Sequence, residues 1–188
     1  SLYPESEGKQ AVSMQDNQGM STLHWAAWSG NSESINFLLS LFPESVRLQA
    51  VKMQDVLGNT VLHCAAQSGN FESIEAILAL YPESERLQIF TMTNLCGETV
   101  LHCAAESNKI ECITAILSLF PESQRLRVLQ KRDQTGNTVL ENMNGKTRDT
   151  IREWLSKPKR LALKRSHQSA SQTTEGVDAE QPEVKKQR

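Results

Sequence analysis

Apolar residues recur along this chain at helical spacing, broken at regular places by polar turns. Val61, Leu62, Ala65 and Ala66 fall at i, i+1, i+4 and i+5, which is one face of a helix. Phe71, Ile74, Ile77 and Leu78 follow at i, i+3, i+6 and i+7 and predict a second amphipathic helix reaching about Leu80. Gly69 stands between them, where a left-handed residue closes a helix. Gly30 and Asn108 hold the same place in other copies, asparagine being the other residue that tolerates this geometry. The unit repeats: copies begin at Asp16, Asp55, Asn94 and Asp133, each 39 residues after the last. Pro-Glu-Ser at Pro4, Pro43, Pro82 and Pro121 keeps the same step. A single helix pair cannot bury its apolar stripe, so this periodicity predicts an all-α stack of repeats.

Two further elements follow from the polar stretches. Asp55-x-x-Gly58 is a turn signal, because aspartate hydrogen-bonds its own backbone two residues on and glycine supplies a positive φ. Each proline of the Pro-Glu-Ser linker is preorganised for a first helical turn. Arg47, Arg86 and Arg125 lie three residues after Glu44, Glu83 and Glu122, a spacing at which helical side chains meet. A short third helix is therefore expected near 43–50, 82–89 and 121–128, with solvated ion pairs within each repeat.

A period near forty residues admits ankyrin or HEAT-type arrays. The motif separates them. Thr60-Val-Leu-His-Cys-Ala-Ala resembles the ankyrin signature Thr-Pro-Leu-His-x-Ala-Ala, and Asp55-x-x-Gly58 and Ser68-Gly69-Asn70 extend the likeness. The resemblance covers residues 2–155 and departs from the family in a longer linker. Similar long repeats occur in ankyrin effectors that intracellular bacterial pathogens inject into host cells. The resemblance implies an ankyrin-repeat solenoid with β-turn fingers and an extra short helix in each linker. Its expected divisions are a partial repeat at 1–15, repeats at 16–54, 55–93 and 94–132, a capping repeat at 133–155, and a tail at 156–188. In the family, finger tips and the exposed side of the first helix form a concave binding surface. Carried over by position, that surface comprises Asn17, Gln18, Met20, Trp28, Val56, Leu57, Asn59, Gln67, Leu95, Glu98 and Glu106. An exposed Trp28 would be a preferred hot spot. Val56, Leu57 and Leu95 are apolar at turn tips, where either a partner or the long linker would cover them. Trp25, in the slot of Cys64 and Cys103, is expected to face the stack.

Composition and charge narrow the function. With 38% hydrophobic and 22% charged residues among its 188, the chain reads as a soluble globular protein. No apolar run approaches a membrane span of ~20 residues. Residues 1–155 carry 12 Lys/Arg against 18 Asp/Glu, an acidic body that argues against nucleic acid as partner. Residues 156–188 carry 8 against 4. Their cluster Lys157, Lys159, Arg160, Lys164 and Arg165 resembles a nuclear import signal, and the sparse apolar content beyond it predicts a disordered tail. A regulatory protein delivered to the nucleus by this segment is the alternative reading, and the targeting module of a larger enzyme is a third. The four cysteines lack a Cys-x-x-Cys pair and read as buried thiols of an intracellular, cytosolic protein.

Candidate chemistry is sparse. His24, His63 and His102 belong to the repeat motif, where the family's histidine hydrogen-bonds the threonine turn; one repeat apart, they are too distant to share a metal. Gly145-Lys146-Thr147 mimics the end of a phosphate loop, but position 140 is leucine where the motif needs glycine. The expectation is a binding protein: no catalytic residue, no cofactor, no metal, and another protein as partner.

Overall fold

The computed structural model describes residues 14–157. These form α1 (Thr22–Trp28), α2 (Ser32–Leu41), α3 (Glu44–Lys52), α4 (Val61–Ser68), α5 (Phe71–Leu78), α6 (Glu83–Ile89), α7 (Val100–Ser107), α8 (Ile110–Leu119), α9 (Glu122–Leu129) and α10 (Gly145–Ser156). The expected third helix is present at each of its three expected places, as α3, α6 and α9. Extended pairing among the described residues is confined to single bridges, Gln54 with Thr60, Thr93 with Thr99 and Arg132 with Thr138. Each bridge closes the base of a turn between a linker helix and the next repeat.

The helices lie in rows. First helices α1, α4 and α7 stack side by side, and second helices α2, α5 and α8 stack behind them, with α10 against α8. Ala27, Ala65, Ala66, Ala104 and Ala105 are wholly buried in the first row, where a methyl group lets backbones approach closely. Leu62, Ile74, Ile77, Leu101, Ile113 and Ile116 fill the space between rows. The linkers add to the core: Val46, Val51, Ile89, Phe90, Val128 and Leu129 are buried, and the rings of Phe90 and Phe120 meet edge to face at 5.8 Å.

Helix ends follow the residues supplied. Asn31 and Asn70 cap α2 and α5 by accepting the backbone N–H of Ser34 at 2.9 Å and Ser73 at 2.7 Å. Gly30, Gly69 and Asn108 take positive φ, as the turn before the second helix requires.

The linker arginines differ from expectation. Arg47 Nε donates to Phe42 O at 3.1 Å and Arg86 Nε to Tyr81 O at 3.2 Å. Arg125 Nε donates to Leu117 O at 2.9 Å and Phe120 O at 3.1 Å. Among the described residues only Arg125 also pairs with its own repeat's glutamate, Glu122 at 3.6 Å. The physical reason is that carbonyls at the end of a helix need donors, whereas an exposed carboxylate is served by water. The guanidinium thus fastens each linker helix to the end of the second helix before it.

The fourth copy departs from the other three. Its first helix shrinks to a turn at 139–142, closed by Arg148, whose Nε donates to Leu140 O at 2.8 Å and whose terminal nitrogen donates to Met143 O at 2.9 Å. Glu141 takes the histidine's place and its function, accepting Thr138 N at 2.6 Å and the Thr138 hydroxyl at 2.8 Å.

Candidate interaction surface

Each finger is built by one side chain. Asp16 Oδ1 accepts the N–H groups of Gln18 and Met20, both at 2.9 Å. Asp55 does so for Leu57 and Asn59, Asn94 for Cys96 and Glu98, and Asp133 for Thr135 and Asn137. Successive fingers are then tied to one another: Val56 N donates to Gln18 O at 3.0 Å, Leu95 N to Leu57 O at 2.8 Å, and Gln134 N to Cys96 O at 2.9 Å. That approach requires glycine. At Gly58, with φ +77°, an added Cβ would lie 2.9 Å from Leu95 N, and at Gly97 it would lie 2.8 Å from Gln134 N.

The histidines fix the first helices behind the fingers. Thr60 donates both its N–H, at 3.2 Å, and its hydroxyl, at 2.9 Å, to His63 Nδ1. Ser21 with His24 and Thr99 with His102 repeat the arrangement. An accepting Nδ1 places the proton on Nε2 of a neutral ring. His24 Nε2 donates to Asn59 O of the next finger at 3.2 Å; His63 and His102 stand near the carbonyls of Glu98 and Asn137 without closing that bond. Burial lowers the pKa of all three, and neighbouring carbonyls and carboxylates only partly oppose it. All three brace the first turn of their own helix, and His24 also ties its helix to the next finger.

The residues carried over from the motif fall on this face as follows. Asn17, Gln18, Trp28, Val56, Leu57, Gln67, Leu95 and Glu106 are exposed, while Met20, Asn59 and Glu98 are half-buried. The linker does not cover the tips: Leu95 is 67% exposed, and Val56 and Leu57 are likewise open. Trp28 is 53% exposed on α1, and Trp25, contrary to expectation, is 45% exposed beside it. The indole is far larger than the Cys64 and Cys103 side chains in its slot, and its N–H needs a partner. It finds one on the finger, donating to Asp16 Oδ2 at 3.0 Å, and its ring meets Trp28 edge-on at 5.9 Å.

A polar chain runs across the middle of the face. Asn59 donates to Asp55 Oδ2 at 3.0 Å, and Asn94 Nδ2 donates to Asn59 Oδ1 and to Glu98 Oε2, both at 2.8 Å. Gln67 Nε2 donates to Glu106 Oε2 at 3.3 Å. Burial raises the Glu106 pKa, and the charge of nearby Glu98 raises it further. Motif logic missed this chain and Trp25, because both depend on contacts between repeats.

Other chemistry is thin. Burial pushes the Cys64 and Cys112 thiols up to about 12, so both stay protonated and unreactive. No group of three or more His, Cys, Asp or Glu among the described residues is placed to hold a metal ion. No helix among them is long and apolar enough to cross a membrane. A cavity of about 470 Å³ between linker elements is lined by Lys52, Tyr81 and Glu85, but Lys52 already pairs with Glu85 at 3.8 Å and lies over the Tyr81 ring. Gly145-Lys146-Thr147 opens α10, where Asn144 Oδ1 accepts Thr147 N at 2.8 Å in an ordinary helix cap. Of the basic cluster, Lys159, Arg160, Lys164 and Arg165 lie outside the described residues, and Lys157 is the last residue within them.

A family model described as ankyrin repeats, in three copies, matches residues 43–123. No curated protein matches the chain.

Proposed function

We propose, from the premise that this chain belongs to the ankyrin-repeat family, that it is a scaffold holding another protein on the face formed by its fingers and first helices. Ankyrin repeats are in general protein–protein interaction modules and typically not enzymes. One observation carries the assignment to this face. Large apolar side chains (Trp25, Trp28, Val56, Leu57 and Leu95) stand exposed on backbone that is hydrogen-bonded from finger to finger. Exposed aromatic and aliphatic groups on a surface already ordered are what a binding site needs, because little conformational entropy remains to be lost on association. Solubility alone would favour polar residues at those tips.

Affinity capture with the full chain, run in parallel with Trp28→Ala, tests this. Trp28→Ala should weaken binding of the captured protein by at least ~2 kcal/mol, about thirtyfold, with an unchanged thermal melt. Equal affinity in the variant would remove this face from the binding site.

A further inference from the structure

We infer that the bound partner presents a basic peptide segment. One cationic side chain stacks on the Trp25–Trp28 pair beside Asp16, and a second is held by Glu98 and Glu106. The inference rests on the scaffold function and names the chemistry of the partner. It starts from the tryptophans. Their rings meet at 84°, so the pair offers an open ring surface beside a carboxylate. Indole is the best side-chain platform for a cation, within about 6 Å of the ring centroid. Asp16 accepts two backbone N–H groups and the Trp25 indole, contacts that keep it ionised at the edge of that platform.

The charge of the first three fingers and first helices agrees. Residues 16–29, 55–68 and 94–107, which make the first three fingers and first helices, contain Asp16, Asp55, Glu98 and Glu106 but no lysine or arginine. Four acids elsewhere are paired with a cation, in Lys52–Glu85, Arg125–Glu122, Arg132–Glu141 and Arg152–Asp149. None of the four acids on this face has a basic partner among the described residues. Glu98 and Glu106 accept hydrogen bonds from the neutral amides of Asn94 and Gln67 but have no cation beside them, and a guanidinium placed between them would serve both carboxylates. An acidic segment or a phosphate backbone would meet only repulsion here.

Position sets the spacing. Trp28, Gln67 and Glu106 occupy one slot of successive repeats, so they form a row across α1, α4 and α7. Neighbouring helices lie ~8–10 Å apart, which puts the two anchors ~20 Å from each other. An extended peptide rises about 3.3 Å per residue, so its two cationic residues should be about six apart.

The test is fluorescence anisotropy of a labelled Gly/Ser peptide carrying two arginines about six residues apart, titrated with the full chain. The same peptide with glutamates is the comparison. The arginine peptide should bind, more weakly as salt rises, and the glutamate peptide should not. Trp28→Ala should weaken the arginine peptide by about tenfold, and Glu106→Gln by a few-fold, while Phe37→Ala, an exposed residue on α2, should match wild type. Equal binding of both peptides, no arginine-peptide binding at millimolar concentration, or indifference to both substitutions would overturn the inference. Should the peptide fail while a captured protein still depends on Trp28, the basic partner falls and the scaffold stands. Should neither depend on Trp28, both fall.

Discussion

His24, His63 and His102 are neutral because each ring is buried and accepts two hydrogen bonds at Nδ1. This has a consequence for stability. Below the ordinary histidine value of 6.5 the unfolded chain takes up protons that the folded chain refuses, since the folded pKa values are lowered. Stability should therefore be full above about pH 6.5 and fall as pH drops below it, by up to about 1.4 kcal/mol per pH unit for each histidine. Glu106, with its raised pKa, acts in the opposite direction. Urea midpoints measured between pH 7 and 5 check this, and His63→Gln, which keeps polar capping atoms but does not titrate, should flatten the slope by one histidine's share. A profile independent of pH over that range would mean that the rings take up protons as readily in the fold as in the unfolded chain. Most of this was readable from the motif; the exposure of Trp25 was not. Its slot is filled by buried cysteine in two other repeats, and only the finger carboxylate beside it shows where an indole goes instead.

Among the elements, the linker helices set this chain apart from a short-turn array. Proline at each start and the i, i+3 spacing of glutamate and arginine made α3, α6 and α9 legible. The function of their arginines was not legible. An i, i+3 spacing to glutamate points along the helix, whereas the actual acceptors are carbonyls at the end of the preceding helix. Arg125 is the strongest case, being buried, bonded to two carbonyls and stacked 5.2 Å from the Trp154 ring. Arg125→Met keeps an apolar stem but takes the guanidinium donor from Phe120 O and Leu117 O, the latter keeping Phe120 N, and should cost ~1–3 kcal/mol in chemical denaturation. Arg127→Met, on the exposed side of the same helix, should stay within about 0.5 kcal/mol. Equal effects would show that the carbonyl contacts carry no stability.

The molecule as a whole is a set of nearest-neighbour contacts, helix row on helix row and finger on finger. The 39-residue step fixed that architecture on inspection, since only stacked units share one apolar pattern at equal intervals. The face proposed for binding could be written from the motif as a list of positions but not as a surface. Its polar chain from Asp55 to Glu98 and its paired tryptophans arise only when separate repeats are brought together. A partner held on this face must touch the fingers and first helices. Amide hydrogen exchange of the full chain, free and with its captured partner, decides that most directly. Protection should appear at 16–20, 55–59 and 94–98 and along α1, α4 and α7, leaving α5, α6, α8 and α9 unchanged. Protection confined to those second and linker helices, with the fingers exchanging as in the free chain, would contradict it.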